Sequence, residues 1–226
     1  NMADKAVTNS GTGQNGAIFD TGKVGQAFAF DGGNDYVKIP RSPSLNAGSQ
    51  LTIEFWMKAD PSTPIGSRTA GLVTSDFYGI EVSATAGNVG IEFYTSTDGG
   101  VNFGHTSDSN GGGATFPAGE WHHVAGVYDG AKTNMQLYIA GTPWGRPRFQ
   151  ANPISPMLAN SFVAIGSEDG RTTCGSCIGT RYFKGAIDEV AIYSRALSAA
   201  EIAAIYSAGA AGKCPVMHKP TTSTSV

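Results

Sequence analysis

Aspartates at the starts of predicted strands are the residues most able to do chemistry in this sequence. Residues 187–193 alternate and are rich in β-branched and aromatic side chains, which predicts a strand with at least one buried face. Asp188 shares the parity of Val190 and Ile192 and is therefore expected on the core side. A buried carboxylate is costly unless a cation or hydrogen-bond donors meet it, so Asp188 requires a partner.

The expected partners lie upstream, around the turn-forming sequence Asp31-Gly32-Gly33-Asn34. Two short alternating segments flank this turn, and Asp35 falls on the apolar side at the start of the second. If the segments are neighbours, Asp31, Asp35 and Asp188, with the carbonyl of Asn34, form an all-oxygen cage of the kind that suits Ca²⁺. The alternative is that the acids cap the turn and pair with backbone N–H groups or with Arg195. Calcium is favoured, because acids that share a site without a cation raise each other's pKa.

Five segments of the chain resemble, in order, the LamG-like jellyroll domains of the concanavalin A-like lectin/glucanase superfamily, with laminin G domains and pentraxins as relatives. The segments are residues 30–37, 51–58, 120–125, 137–141 and 183–198, within a resemblance that runs from about Gly16 to Gly209. It implies an all-β fold, a two-sheet antiparallel jellyroll sandwich. It is specific for the fold and says little about function.

Composition is consistent with one domain of this kind, assigned to residues 1–212. The 226 residues are 40% hydrophobic and include 31 glycines, enough for a core and many turns. Ser198-Ala199-Ala200-Glu201 is a capping box that predicts one short C-terminal helix ending at Gly209. Residues 213–226 are expected to be a Ser/Thr-rich tail or linker, and residues 95–119 are read as one long loop.

Charge and hydropathy exclude two classes of partner. The net charge of −3 comes without a basic cluster, so the footprint of a nucleic-acid-binding protein is missing. No apolar run is long enough to insert into a bilayer. The N-terminal residues contain no charged-then-apolar leader.

The three cysteines favour an exported protein. Cys174 and Cys177 form a CxxC pair in a Gly/Thr-rich loop, and Cys214 lies near the C-terminus. A disulfide between Cys174 and Cys177, or between one of them and Cys214, is favoured over redox or zinc chemistry, because the βαβ context and the metal-ligand spacing are both missing. The expected location is therefore extracellular or at the cell surface.

Ligand binding is expected at a rim formed by residues 95–119, 142–150 and 167–183. Sugar recognition needs aromatic rings flanked by planar polar side chains. Residues of both kinds occur in the rim and next to it. The candidates are Tyr78, Phe103, His105, Trp144 and Arg146. Trp144 could instead fold back onto the sheet, and this interpretation is favoured over an exposed ring that stacks on a sugar.

Catalysis is not expected. The glucanases of the superfamily that this chain resembles carry an E-x-D-x-x-E arrangement. No glutamate of this chain is followed by Asp and Glu at those positions. The prediction is therefore a noncatalytic, calcium-binding recognition or adhesion module for a glycan or an extracellular protein. The alternative is a structural subunit or repeat of a self-assembling surface fibre or sheath.

Overall fold

The structure is a computed structural model that describes residues 9–62, 69–85, 88–106, 117–168 and 181–213. Within these ranges the chain forms strands of three to ten residues, separated by turns, as the glycine content predicts. The strands are β1 (Thr12–Gln14), β2 (Ile18–Thr21), β3 (Gln26–Asp31), β4 (Tyr36–Pro40), β5 (Gln50–Ala59), β6 (Thr69–Thr74), β7 (Tyr78–Thr85), β8 (Asn88–Thr95), β9 (Gly104–Thr106), β10 (His122–Asp129), β11 (Asn134–Ile139), β12 (Thr142–Phe149), β13 (Phe162–Ile165) and β14 (Lys184–Tyr193).

These strands form two antiparallel sheets, which confirms the predicted sandwich. Sheet A has the order β1-β4-β13-β6-β7-β8-β9, and sheet B has the order β12-β11-β10-β5-β14-β3-β2. The edge strands β9 and β12 lie against each other at one side of the sandwich. The core is packed between the sheets and contains alternate residues of the strands, such as Ile53, Phe55 and Met57 of β5.

The described residues include one α-helix, α1 (Ala199–Ala208), which follows β14 and covers part of the outer face of sheet B. The predicted capping box is present, since Ser198 N donates to Glu201 Oε2 at 2.9 Å and Glu201 N donates to Ser198 Oγ at 3.3 Å. Ile202 is fully buried against Ala125 and Val127 of β10. None of the described helices has the length and apolar character needed to span a membrane.

A β-bulge in β14 corrects the predicted orientation of Asp188. Ile187 pairs with Met57 on the core side and Asp188 pairs with Trp56 on the outer side, after which the register shifts. Glu189 absorbs the extra residue with a φ of 52°. The bulge reverses the parity, so that Val190 faces the core whereas Asp188 does not.

The prediction that residues 95–119 form one unbroken loop is also wrong. Gly104–Thr106 pairs with β8 as the short strand β9, with Tyr94 opposite His105. The polar composition of the segment concealed this strand, because only three residues pair and each side of it is rich in turn formers. Residues 107–116 lie outside the described part of the chain.

The positive φ at the bulge yields a stability prediction. We expect Glu189→Val to be less stable than Glu189→Gly by roughly 1–2 kcal/mol, because a side chain with a Cβ, and a β-branched one above all, strains the left-handed backbone. Chemical denaturation of the two variants measures the difference. Equal stabilities would mean that the bulge relaxes without cost.

Candidate functional site

Phe103 and His105 lie on the outer face of sheet A at its β9 edge, where they cover Tyr94. The ring centroids of Tyr94 and Phe103 are 5.7 Å apart in an edge-to-face arrangement, and those of Phe103 and His105 are 6.2 Å apart. Tyr94 is fully buried and donates its hydroxyl to Ser75 O at 2.8 Å. The two outer rings are only partly buried, so they are the ones a ligand can reach.

Two charged side chains border these rings. Glu92 Oε1 lies 2.7 Å from His105 Nδ1, and Arg148, which extends from β12, donates Nη1 to His105 O at 3.4 Å. A carboxylate and a guanidinium therefore lie beside the partly buried phenyl and imidazole rings. Together they offer hydrogen-bond donors and acceptors in planar groups.

The turn that precedes β9 is held by Asp98, whose role the sequence reasoning missed. Its carboxylate accepts hydrogen bonds from Asn102 N at 3.0 Å and from Ser96 Oγ at 2.9 Å. The bonds from Asn102 are the main cause of a pKa of about 2 for Asp98, below the ordinary value. The sequence does indicate this turn, since an Asp followed by Gly99 and Gly100 is typical of turns.

Strand β12 supplies the other two predicted ligand residues, and every residue in it is exposed. Trp144 pairs with Leu137 and Arg148 pairs with Met135, two register positions apart, which is about 7 Å along the strand. Arg146 lies between them, where the register shifts. Trp144 is 38% exposed. We refer to Glu92, Phe103, His105, Trp144 and Arg148 as the β9–β12 patch.

The assignment of Tyr78 to a ligand site is corrected by the structure. Tyr78 is completely buried in the core with Ile80, and its hydroxyl donates to Leu45 O at 2.7 Å. Burial raises the pKa of this phenol above its ordinary value. Its parity on β7 places it between the sheets, a distinction that residue type alone did not reveal.

Two of the predicted calcium ligands lie together. Asp35 is buried at the start of β4, and Asp31 N donates to Asp35 Oδ2 at 3.2 Å. Asp31 Oδ1 accepts from Gly33 N at 2.6 Å, and Asn34 O accepts from Asn15 Nδ2 at 3.0 Å. This acidic turn corresponds in part to the alternative interpretation, in which the carboxylates cap the turn.

Asp188 does not join the acidic turn, so a single cage with Asp31, Asn34 and Asp35 is wrong. Asp31 pairs with Lys184 at the start of β14, and Asp188 is four residues further along, about 13 Å away. Val24 N and Glu189 N donate to the Asp188 carboxylate at 2.8 and 2.7 Å. Burial raises its pKa, and these two bonds partly oppose that effect. Among the described residues, no three His, Cys, Asp or Glu side chains are grouped to hold a metal.

The disulfide stays a prediction. Cys174, Cys177 and Cys214 all lie outside the described residues.

A buried polar cluster under α1 was not anticipated. Glu54 of β5 is inaccessible to solvent, and its carboxylate lies 2.6 Å from Lys213 Nζ and 3.3 Å from His123 Nε2. Tyr193 donates its hydroxyl to Glu54 Oε1 at 3.2 Å, and burial raises the pKa of this phenol. The sequence predicts Lys213 to be part of the tail, but its ion pair with Glu54 attaches it to the domain. The cluster is covered by protein and is structural.

Comparison with known proteins agrees with this architecture. The family model of the concanavalin A-like lectin/glucanases superfamily matches residues 31–203, which is more than half of the chain. No curated protein matches the sequence.

Solved structures show the same fold at low sequence identity. Domain 4 of AbnA, an extracellular GH43 arabinanase of Geobacillus stearothermophilus solved with arabinotriose, is 19% identical with a TM-score of 0.66, over 90% of this chain and 91% of that one. The binding domain of Paraclostridial Mosquitocidal Protein 1 is 18% identical with a TM-score of 0.65, over 88% of this chain but 47% of that one. A putative carbohydrate-binding protein of Bacteroides ovatus is 17% identical with a TM-score of 0.54, over 74% of this chain and 43% of that one. Together with the two-sheet topology, the family match establishes that the chain belongs to the concanavalin A-like lectin/glucanases superfamily.

Proposed function

We propose that this domain is a noncatalytic carbohydrate-binding module that holds a glycan at the β9–β12 patch. The observation that carries the proposal is the convergence of Phe103 and His105 with Glu92 and Arg148 at an accessible sheet edge. The sequence separates the first pair from Arg148 by more than forty residues, and the packing of β12 against β9 brings them together.

The chemistry of the patch suits a sugar better than a flat apolar partner. Partly exposed rings stack against the C–H face of a sugar, and planar polar side chains bind its hydroxyl groups in fixed directions. Glu92 accepts hydrogen bonds, Arg148 donates them, and the two ring nitrogens of His105 provide further hydrogen-bonding positions. The hydrogen bond from Arg148 to the backbone of β9 restrains the guanidinium before a ligand arrives, which reduces the entropy lost on binding.

The structural neighbours are consistent with this proposal. AbnA domain 4 was solved with arabinotriose, and the Bacteroides ovatus protein is described as a putative carbohydrate-binding protein. Both likenesses are below 25% identity and show the fold alone, so the proposed sugar ligand rests on the residues of the β9–β12 patch. Secretion or display at the cell surface is part of the proposal, since extracellular glycans are the expected targets.

The noncatalytic part of the proposal rests on the placement of carboxylates. Glycoside hydrolysis needs two carboxyl groups that both reach the scissile bond. Glu81 and Glu92 are directly opposite each other on β7 and β8, but Glu81 is only 2% exposed. Glu54 lies under α1 and has no access to a polysaccharide.

We predict that Phe103→Ala weakens glycan binding about tenfold, equivalent to ~1.4 kcal/mol, through the loss of a stacking surface. A glycan array followed by calorimetry on the best ligand measures the change. Phe149→Ala is the matched control, since Phe149 is 82% exposed and pairs with Asn134 rather than with a core-facing residue. Equal losses in both variants would contradict the patch. Ordered self-assembly of a wild type that binds no glycan would favour the structural-subunit alternative.

We predict that Asp98→Ala also weakens glycan binding, although Asp98 is not expected to touch the ligand. Without its carboxylate, the turn between β8 and β9 loses the bonds from Asn102 and Ser96 that position Phe103. Asp98→Asn keeps one accepting oxygen for Asn102 N and should retain most of the affinity. If calorimetry shows wild-type affinity for Asp98→Ala, the turn is not needed to position the ring.

Calcium binding is a separate proposal, confined to the acidic turn. Asp31 and Asp35 each use one carboxylate oxygen in the hydrogen bonds described above, which leaves Asp31 Oδ2 and Asp35 Oδ1 for a cation. We expect calorimetric calcium binding by wild type and by Asp188→Asn, and none by Asp35→Asn. The same affinity in all three proteins, or no binding by wild type, would rule out this turn as the site.

A further inference from the structure

The connection between β1 and β2 carries the chain from one sheet to the other within three residues. Asn15 and Gly16 both have positive φ values, 57° and 131°, and both are exposed. The turn is closed by a hydrogen bond from Ala17 N to Gln14 O at 3.1 Å. Asparagine tolerates the left-handed region better than most residues, which accounts for the residue at the first position.

The residue after Asn15 has to be glycine. A Cβ at position 16 would lie 2.8 Å from Asp35 Oδ1, closer than van der Waals contact allows. Because glycine has no side chain, its own residue does not hinder the approach of the Gly16 amide nitrogen to the side chain of Asn15. That nitrogen belongs to the peptide bond that joins Asn15 to Gly16.

We propose that Asn15 is a site of spontaneous deamidation that controls the docking of β1. The Gly16 nitrogen loses its proton and attacks Asn15 Cγ, and the Cγ–Nδ2 bond breaks with release of ammonia to give a five-membered succinimide. Water then opens the ring at either carbonyl and leaves aspartate or isoaspartate. The net reaction consumes one water and releases one ammonia, and no oxidant or other reactant is needed.

The consequence follows from the contact that the amide makes. Asn15 Nδ2 donates to Asn34 O at 3.0 Å. A carboxylate at that position has only acceptor oxygens, so two acceptors face each other and the bond is lost. The new negative charge also lies beside Asp35, whose Oδ1 is next to Gly16, and like charges repel.

Strand β1 is the element exposed to this change. It contains only three paired residues, Thr12 to Gln14, at the edge of sheet A opposite β4. An isoaspartate adds a methylene to the backbone of the three-residue connection and so displaces the strand from its register. Release of β1 leaves β4 as the new edge of sheet A, with unpaired backbone groups.

Ageing of the intact protein in mildly alkaline buffer, followed by peptide mapping, tests the chemistry. We expect the Asn15 peptide to gain about 1 Da and to contain isoaspartate, while peptides with Asn102 and Asn134, which precede Phe103 and Met135, stay unchanged. The Asn110–Gly111 pair is a second such dipeptide in the sequence and must be mapped separately. An Asn15 amide that persists in the folded protein, under conditions that convert it in urea, overturns the proposal.

Hydrogen exchange tests the consequence with designed variants. Asn15→Asp and aged wild type should exchange the amides of Thr12–Gln14 severalfold faster than fresh wild type. Asn15→Gly keeps the backbone conformation, adds no charge and cannot deamidate, so its exchange should lie closer to that of fresh wild type. Equal exchange in Asn15→Asp and fresh wild type would show that deamidation does not release β1.

Discussion

A buried carboxylate, Glu54, is the constraint on which the organisation of sheet B depends. It lies on the outer face of the central strand β5, where neither the core nor the solvent meets it. Lys213, His123 and Tyr193 reach it from three separate parts of the chain, and removing one member of such a buried pair costs roughly 3–5 kcal/mol. The cluster thus binds the end of the described chain to the middle of the domain. Because α1 and this segment cover it, this part of the outer face of sheet B is closed to ligands.

The fold was readable from the sequence because its signals are local and agree with one another. Alternating segments predict strands, glycine-rich segments predict turns, and the Ser198–Glu201 capping box predicts the helix. The resemblance to the LamG-like jellyroll domains predicts how these elements are arranged. The candidate site was readable only in part. The residue types at Phe103, His105 and Trp144 indicated sugar recognition, but Tyr78 has the same chemical type and lies in the core. Side-chain type does not distinguish the two faces of a strand unless the register is known.

Two further differences between prediction and structure have separate physical causes. A single left-handed residue, Glu189, reverses the parity of β14 and removes Asp188 from the core side. No periodicity rule can locate such a bulge, because it breaks the period. The Glu54 cluster was missed for another reason: its four members come from residues 54, 123, 193 and 213, and only the strand order brings them together. The acidic turn at Asp31 and Asp35 was found because its residues are close in sequence.

The composition of β12 has a consequence for how this domain behaves among copies of itself. Pro143 and Pro147 lack backbone N–H groups, and the register breaks between them, so the open side of this strand is a poor template for another chain. A sheet edge that resists strand exchange can still present aromatic and charged groups to its surroundings. Many such domains could therefore be crowded on one surface or joined in tandem, each available to its own ligand, without fusing into a continuous sheet.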